Sequence, residues 1–246
     1  MSIIGIIPAR FASSRFPGKP LAMIDGKTML QRVVEQSKKA TLLTELVVAS
    51  DDARIEAHCK EIGIKCIITS ADHPSGTDRC YEAYKLSNSK STYIINIQGD
   101  EPFLHPEQIN SLAKVCDGTA ELATQMIKCN TYEMLADTGE VKIVLNEHKE
   151  ALYFSRSIIP FIKNETPENW HLKHDYYRHV GMYAYRADIL DKISKLPVSF
   201  LEKAESLEQL RWLENGFKIK CAETTYESHC IDTPEDIEKV LKLMKH

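Results

Sequence analysis

IIGIIPARFASSRFPGKPL, residues 3–21, joins an apolar run to a cationic loop of small and rigid residues. Ile3–Ile7 carries a single Gly and no polar side chain, the pattern of a strand covered on both faces in a parallel sheet. The run breaks at Pro8, and the next dozen residues hold Arg10, Arg15 and Lys19. Ala12, Ser13 and Ser14 are small enough to let a ligand approach the backbone, while Pro17 and Pro20 stiffen the loop. Two forked guanidiniums and one mobile ammonium suit phosphate oxygens. A solvated loop whose cations pair with nearby acids is the plainer alternative for these residues taken alone.

Working outward, the same strand-then-helix rhythm repeats. Thr28 can cap a helix whose Leu30, Val33, Val34 and Ser37 share one face. Leu46–Ala49 reads as a strand, Asp52–Ile62 as a helix stopped by Gly63, and Lys65–Thr69 as a short strand. After the polar loop ADHPSGTDR come a helix over Cys80–Leu86 and a strand over Tyr93–Ile97 that ends in QGDEP. Pro106 stands at a first helical position ahead of Ile109, Leu112, Ala113 and Cys116. This βαβα alternation predicts an α/β fold with a mostly parallel, doubly wound sheet. Ligands on such sheets sit beyond the C-terminal strand ends, where loops starting at Pro8, Ser50, Ser70 and Gln98 would open.

The second half is less regular. VKIVL and ALYFSR read as strands, NETPENWHLKHD as an exposed loop, and the alternating HVGMYAYR as an antiparallel strand. One domain over 1–246 is expected, with a smaller antiparallel lobe at about 140–220 that builds a dimer contact. Residues 201–215 read as one helix bearing Leu207, Leu210 and Leu213 and stopped by Gly216. Thr233-Pro234-Glu235-Asp236 is a helix start, followed by the stripe Ile237, Val240, Leu241 and Met244.

The 246 residues are 43% hydrophobic, enough for a sizeable core, and the formal net charge is −4. No global basic field invites nucleic acid, so the cations of the opening loop act locally. The first ten residues lack a basic n-region and a long apolar h-region, and no segment is long enough to span a membrane, so a cytoplasmic protein is expected. Seven scattered cysteines without a C-x-x-C pair read as small core residues rather than as disulfides or a zinc site.

The opening loop is not a nucleotide P-loop, because only Gly18 is present and Pro20 follows the lysine; G-x-G-x-x-G is absent as well. Asp100 in QGDEP should project at the C-terminal sheet edge, and Asp232 in CIDTPED follows another short apolar stretch. Each alone reads as a turn or helix-start residue. Together, beside a cationic loop, they suit one divalent cation on a triphosphate, since Mg²⁺ takes one or two carboxylates plus phosphate oxygens.

The segments IPARFASSRFPGKPL, ADHPSGTDR, IQGDEP, ALYFSR, RHVGMYAYR, LEQLR and IDTPEDIEKV, in this order, resemble the 3-deoxy-manno-octulosonate (Kdo) cytidylyltransferase family from Ile4 to Met244. Sialic acid cytidylyltransferases, with glycines after the first Arg, are less similar. The resemblance implies that CTP and Kdo give CMP-Kdo and pyrophosphate with Mg²⁺, in a homodimer that serves lipopolysaccharide assembly. It implies that Lys19, Arg10 and Arg15 clamp phosphates and that Asp100 and Asp232 hold the metal. It sets cytosine and ribose against the Ala9–Arg10 backbone, Ser75 and Arg79. Gln98, Arg156, His179, Tyr183, Glu208 and Gln209 match the positions that line the sugar pocket. Without the resemblance, His179 and Tyr183 read as structural side chains and Glu208 and Gln209 as a solvated helix face. The chain departs from the family at NTYEMLADTGE, at Ile159 and over 165–175, near the sugar side. A cytidylyltransferase for 8-amino-8-deoxy-Kdo, a sugar-nucleotide-dependent glycosyltransferase and a catalytically dead binding protein remain as alternatives.

Overall fold

The computed structural model describes residues 1–12, 15–227 and 229–243; Ser13, Ser14 and Met244, singled out above, lie outside the described residues. In chain order the strands are β1 (Ile3–Pro8), β2 (Met23–Ile24), β3 (Lys27–Thr28), β4 (Glu45–Ser50), β5 (Cys66–Ile68), β6 (Tyr93–Asn96), β7 (Leu122–Lys128), β8 (Lys142–Leu145), β9 (Ala151–Ser155), β10 (Tyr177–Arg186) and β11 (Ile219–Glu223). The helices are α1 (Met29–Ser37), α2 (Ala53–Glu61), α3 (Gly76–Ser87), α4 (Pro106–Lys114), α5 (Tyr132–Ala136), α6 (Trp170–Lys173), α7 (Ala187–Ile193), α8 (Phe200–Glu205), α9 (Glu208–Glu214) and α10 (Pro234–Leu243).

The main sheet runs in the order β11-β7-β10-β6-β1-β4-β5. Pairings β6–β1, β1–β4, β4–β5 and β7–β11 are parallel, while β10 is antiparallel to both β6 and β7. Chain order reverses across β1, with β4 on one side and β6 on the other, so the loops leaving β1 and β6 part to form a crevice at their C-terminal ends. β10 is longer than its central partners; its first residues, Tyr177 and Arg178, continue outward to pair with β8, which pairs with β9. The antiparallel strands of the second half are therefore rooted in the central sheet rather than hung beside it.

Alternation along β1 decides the two cores. Ile4 and Ile6 face one layer with Ile94, Tyr185, Leu210 and Trp212; Ile3 and Ile7 face the other with Leu30, Val33, Ile95 and Ile109. The stripe foreseen for α1 is buried as expected, and Thr28 accepts from the Gln31 amide as its cap. A third, smaller cluster packs Ile24, Met29, Ile231 and Val240 with Phe16 and Phe103. It fastens the C-terminal segment to the opening loop.

Three readings of the sequence need correction. Residues 201–215 are two helices, because Ser206 takes a left-handed conformation (φ 56°) between α8 and α9. The helix expected from Cys80 starts at Gly76, with Ser75 as its cap, so SGTDR is largely helical. NETPENWHLKHD is not a simple exposed loop: Pro167–Asn169 and α6 fold back to bury Trp170 against Cys129, Leu135 and Tyr176. Burial of the Trp170 indole outweighs its polar neighbours, while Leu172 in the same turn stays exposed. Among the cysteines, 59, 80, 116, 129 and 221 are core residues, whereas Cys66 is half-buried and Cys230 exposed.

Candidate active site

At the crevice the loops after β1 and β6, the start of α3 and the segment before α10 enclose a cleft of about 240 Å³. Ala9, Arg10, Arg15, Lys19, Ser75, Arg79, Gln98, Asp100 and Asp232 all line it. Nine of the residues singled out from the sequence thus converge from four separate stretches of chain.

Lys19 is the hub. It opens a single 3₁₀ turn, Lys19–Leu21, after Gly18, whose φ of 74° belongs to the left-handed region that glycine tolerates. Its Nζ donates to Asp100 Oδ2 at 2.8 Å, to Asp232 Oδ1 at 3.2 Å and to the Ile231 carbonyl at 2.9 Å. Burial works against the ammonium, but the charge of Asp100 and the hydrogen bond to it outweigh that penalty, and the Lys19 pKa is raised. The group stays protonated at neutral pH. Arg15, exposed, reaches Asp232 Oδ2 at 3.1 Å. The Ile231 amide donates to the Asp100 carbonyl at 3.0 Å and so fixes the two acidic segments against each other.

Two like-charged carboxylates held together need a cation between them. Lys19 fills that role here, and the same oxygens are a donor set that fits a hard divalent ion. Gly99 makes the approach possible: a Cβ there would lie 2.6 Å from the Pro8 carbonyl oxygen. A glycine just beyond a strand and directly before an acid is the sequence feature that could have flagged this approach.

The nucleotide side is more constrained than the sequence suggested. The Ala9 amide already donates to the Ala49 carbonyl at 2.8 Å, so a base read at Ala9 must use its carbonyl. The Ser75 hydroxyl donates to Asp78 Oδ2 at 2.7 Å and accepts from the Asp78 amide. Arg79 is buried, donates to Thr69 Oγ1 at 2.6 Å and lies 3.3 Å from Asp51 Oδ1. The helix-start salt bridge and the cleft wall are thus two aspects of one side chain. α3 also directs its N-terminal amides and positive dipole end at the cleft. His73, which bonds Glu82 at 2.5 Å, lines the same wall and was not singled out.

A second group lies across α3. Thr77, two residues after Ser75, donates to Glu208 Oε2 at 2.6 Å, and Gln98 Nε2 donates to the Gly181 carbonyl of β10 at 3.0 Å. These bonds tie the cleft to His179, Tyr183, Glu208 and Gln209. Burial pushes the Glu208 carboxyl up, with Thr77 and Arg211 pulling it back. Burial, aided by the Arg178 charge, pulls His179 down to about 3, so its imidazole is neutral. Its Nε2 lies 2.8 Å from Thr124 Oγ1, which is also 2.9 Å from the Met182 carbonyl. Which ring nitrogen carries the proton sets whether Thr124 accepts from Nε2 or donates to it. Tyr183 is buried, and its hydroxyl has no well-formed hydrogen bond among the described residues. An orphaned buried hydroxyl is what a polar ligand would satisfy. Arg156 makes its bonds within the lobe, to the carbonyls of Glu205, Thr138 and Gly139. Thr77, Thr124 and Tyr185, which organise this group, carried no signal in the sequence beyond β and helix-start propensity.

A family model described as cytidylyltransferase matches residues 4–219. The 3-deoxy-manno-octulosonate cytidylyltransferase of Cytophaga hutchinsonii is 51% identical over 241 residues, covering 98% of this chain and 96% of that one. Its counterpart from Parabacteroides distasonis is 52% identical over 250 residues, covering 99% and 98%. A solved structure of CMP:2-keto-3-deoxy-manno-octonic acid synthetase complexed with CTP superimposes with a TM-score of 0.91 at 40% identity, over 100% of this chain and 99% of that one.

Proposed function

This chain belongs to the 3-deoxy-manno-octulosonate cytidylyltransferase family, and we propose on that premise that it transfers CMP from CTP to the anomeric hydroxyl of Kdo, releasing pyrophosphate. The observation that carries the reading is Lys19 bridging Asp100 and Asp232 at the mouth of a cleft that also holds Arg10 and Arg15. Such a set neutralises a triphosphate without P-loop glycines.

Phosphoryl transfer asks the protein chiefly for position and charge. Arg10 and Arg15 would take phosphate oxygens through forked donors, and Lys19 would exchange its carboxylate partners for the oxygens of the departing pyrophosphate. Asp100 and Asp232 would hold Mg²⁺, which when bound supplies positive charge against the phosphate oxygens. The α3 N-terminus would add partial positive charge that is fixed in place by the fold. The Ala9 carbonyl suits an exocyclic amine, as on cytosine. On the sugar side, the neutral His179 imidazole and the buried Tyr183 hydroxyl would be polar partners for a polyol. Arg156 would supply the cation for the sugar carboxylate. A homodimer built through the lobe, a cytoplasmic location and service to lipopolysaccharide assembly are supported by the family resemblance; no helix among the described residues is long and apolar enough to cross a membrane.

The test is pyrophosphate release with Mg²⁺ and each nucleoside triphosphate, offered Kdo, 8-amino-8-deoxy-Kdo or N-acetylneuraminate. Release with CTP and Kdo alone is expected. Release with CTP and the amino sugar but not Kdo would move the specificity, and no release from any pair would overturn the function.

A further inference from the structure

Lys142 on β8 is a buried charge that the proposed chemistry does not use. Its side chain is fully enclosed, and its ammonium donates to two main-chain oxygens, that of Asp137 at 2.7 Å and that of Glu140 at 2.6 Å. Burial lowers its pKa; the Asp137 and Glu140 charges oppose the fall and the nearby Arg156 charge adds to it. An apolar side chain would fill the same space without the desolvation penalty. What the ammonium adds is a grip on a turn. Residues 137–139 are exposed and Glu140 is half-buried. The turn closes on itself through the Glu140 amide, which donates to the Asp137 carbonyl at 3.3 Å, and the Gly139 amide, which donates to Asp137 Oδ1 at 2.8 Å. It belongs to NTYEMLADTGE, one of the places where the chain departs from its family.

The four carbonyls of the turn meet two cations. The outer pair, of Asp137 and Glu140, holds Lys142, and the inner pair, of Thr138 and Gly139, takes Arg156 Nη1 at 3.2 and 3.4 Å. Arg178, paired with Lys142 in register, adds a bond from its Nη1 to Glu140 Oε2 at 3.2 Å. At the end of α8 the Glu205 carbonyl accepts from Arg156 Nε at 2.9 Å, and the Glu205 carboxylate accepts from the Arg156 amide at 3.0 Å. Arg156 is thus clamped by neutral carbonyls, and its Nη2 has no hydrogen bond among the described residues. A guanidinium held in this way keeps an edge for an acid that comes with the substrate. We propose that Lys142 is a positioning residue for the sugar, a role that rests on the function proposed above. By holding the turn 137–140 it sets the Arg156 guanidinium, and through it the fit of the sugar carboxylate.

The experiment measures KM and kcat for both substrates in Lys142→Met, which keeps an apolar stem of similar length and removes the ammonium. KM for Kdo should rise about tenfold while KM for CTP stays within about twofold. Asp137→Ala is an exposed change that loosens the same turn without touching the buried charge. It should move KM for Kdo in the same direction, and it decides the matter if Lys142→Met does not fold. In an Arg156→Ala background neither substitution should raise KM for Kdo further, because the effect passes through the guanidinium. An unchanged KM for Kdo in the single variants, equal rises for CTP and Kdo, or full additivity with Arg156→Ala would each overturn the proposal. A native chain that releases no pyrophosphate from CTP and Kdo overturns the function and this role with it; native turnover with indifferent variants overturns this role alone.

Discussion

His179 is held in its neutral form by its surroundings, and that has a consequence for stability. It packs edge-on to Phe154 and at a tilt to Tyr183, with Nε2 committed to Thr124. Its pKa falls from 6.5 to about 3 because burial and the Arg178 charge both disfavour the cation. The unfolded chain binds a proton below about 6.5 that the folded chain refuses, so stability rises with pH across that window and is lost as pH falls toward 3. The expected slope is at most about 1.4 kcal/mol per pH unit, less for whatever part of the ring sees solvent. Denaturant midpoints compared between pH 7 and 5 should fall for the native chain and fall less for His179→Gln. Equal slopes would mean that His179 is not held neutral. The imidazole was visible in the sequence only through family resemblance, since a histidine in an alternating strand has no signature of its partners.

At the scale of elements, the loops that leave β1 and β6 set the width of the cleft, and Gly99 sets how close they come. A Cβ at Gly99 meets backbone, the Pro8 oxygen at 2.6 Å, so the strain cannot be relieved by turning a side chain. Gly99→Ala should cost about 1–3 kcal/mol of stability, as overpacking does, and raise KM for CTP by moving Asp100 away from Lys19. Unchanged denaturation and KM would show that the two loops are not in register through this contact. The parallel strands of the first half were legible because each is a continuous apolar run. β7 was not, because Thr124 and Gln125 interrupt its run with polar side chains that are nevertheless buried. The Gln125 Nε2 donates to the Gln108 carbonyl and the Ser111 hydroxyl, both in α4, partners that no local pattern announces. The break at Ser206 escaped for a similar reason: its left-handed backbone is imposed where α8 turns into α9, in a residue without the glycine that flags such turns.

For the whole molecule, the site exists because distant segments are bolted together by cores that have nothing to do with chemistry. Lys19 lies 81 residues from Asp100 and 213 from Asp232, yet one ammonium touches both. Packing of Phe16, Ile24 and Met29 against Ile231 and Val240 brings them there. The acidic pair and the cationic loop could be read from the sequence as types, but their closure on one another depends on this core. Large apolar side chains left exposed in the lobe, Leu152, Phe161, Leu172 and Phe200, give a homodimer something to bury. Sedimentation should give twice the mass of one chain, and Phe161→Asp with Phe200→Asp should shift it toward a monomer; a native chain that sediments as a monomer at assay concentration would remove the dimer from the account. The central claim is that the Lys19 ammonium, poised on Asp100 and Asp232, is the charge that the reacting triphosphate meets. The measurement that tests it most directly is kcat for pyrophosphate release from CTP and Kdo by Lys19→Ala, alongside its unfolding transition. A fall of about 10²–10³ with cooperative unfolding preserved is the predicted result; turnover within about twofold of the native chain would contradict it.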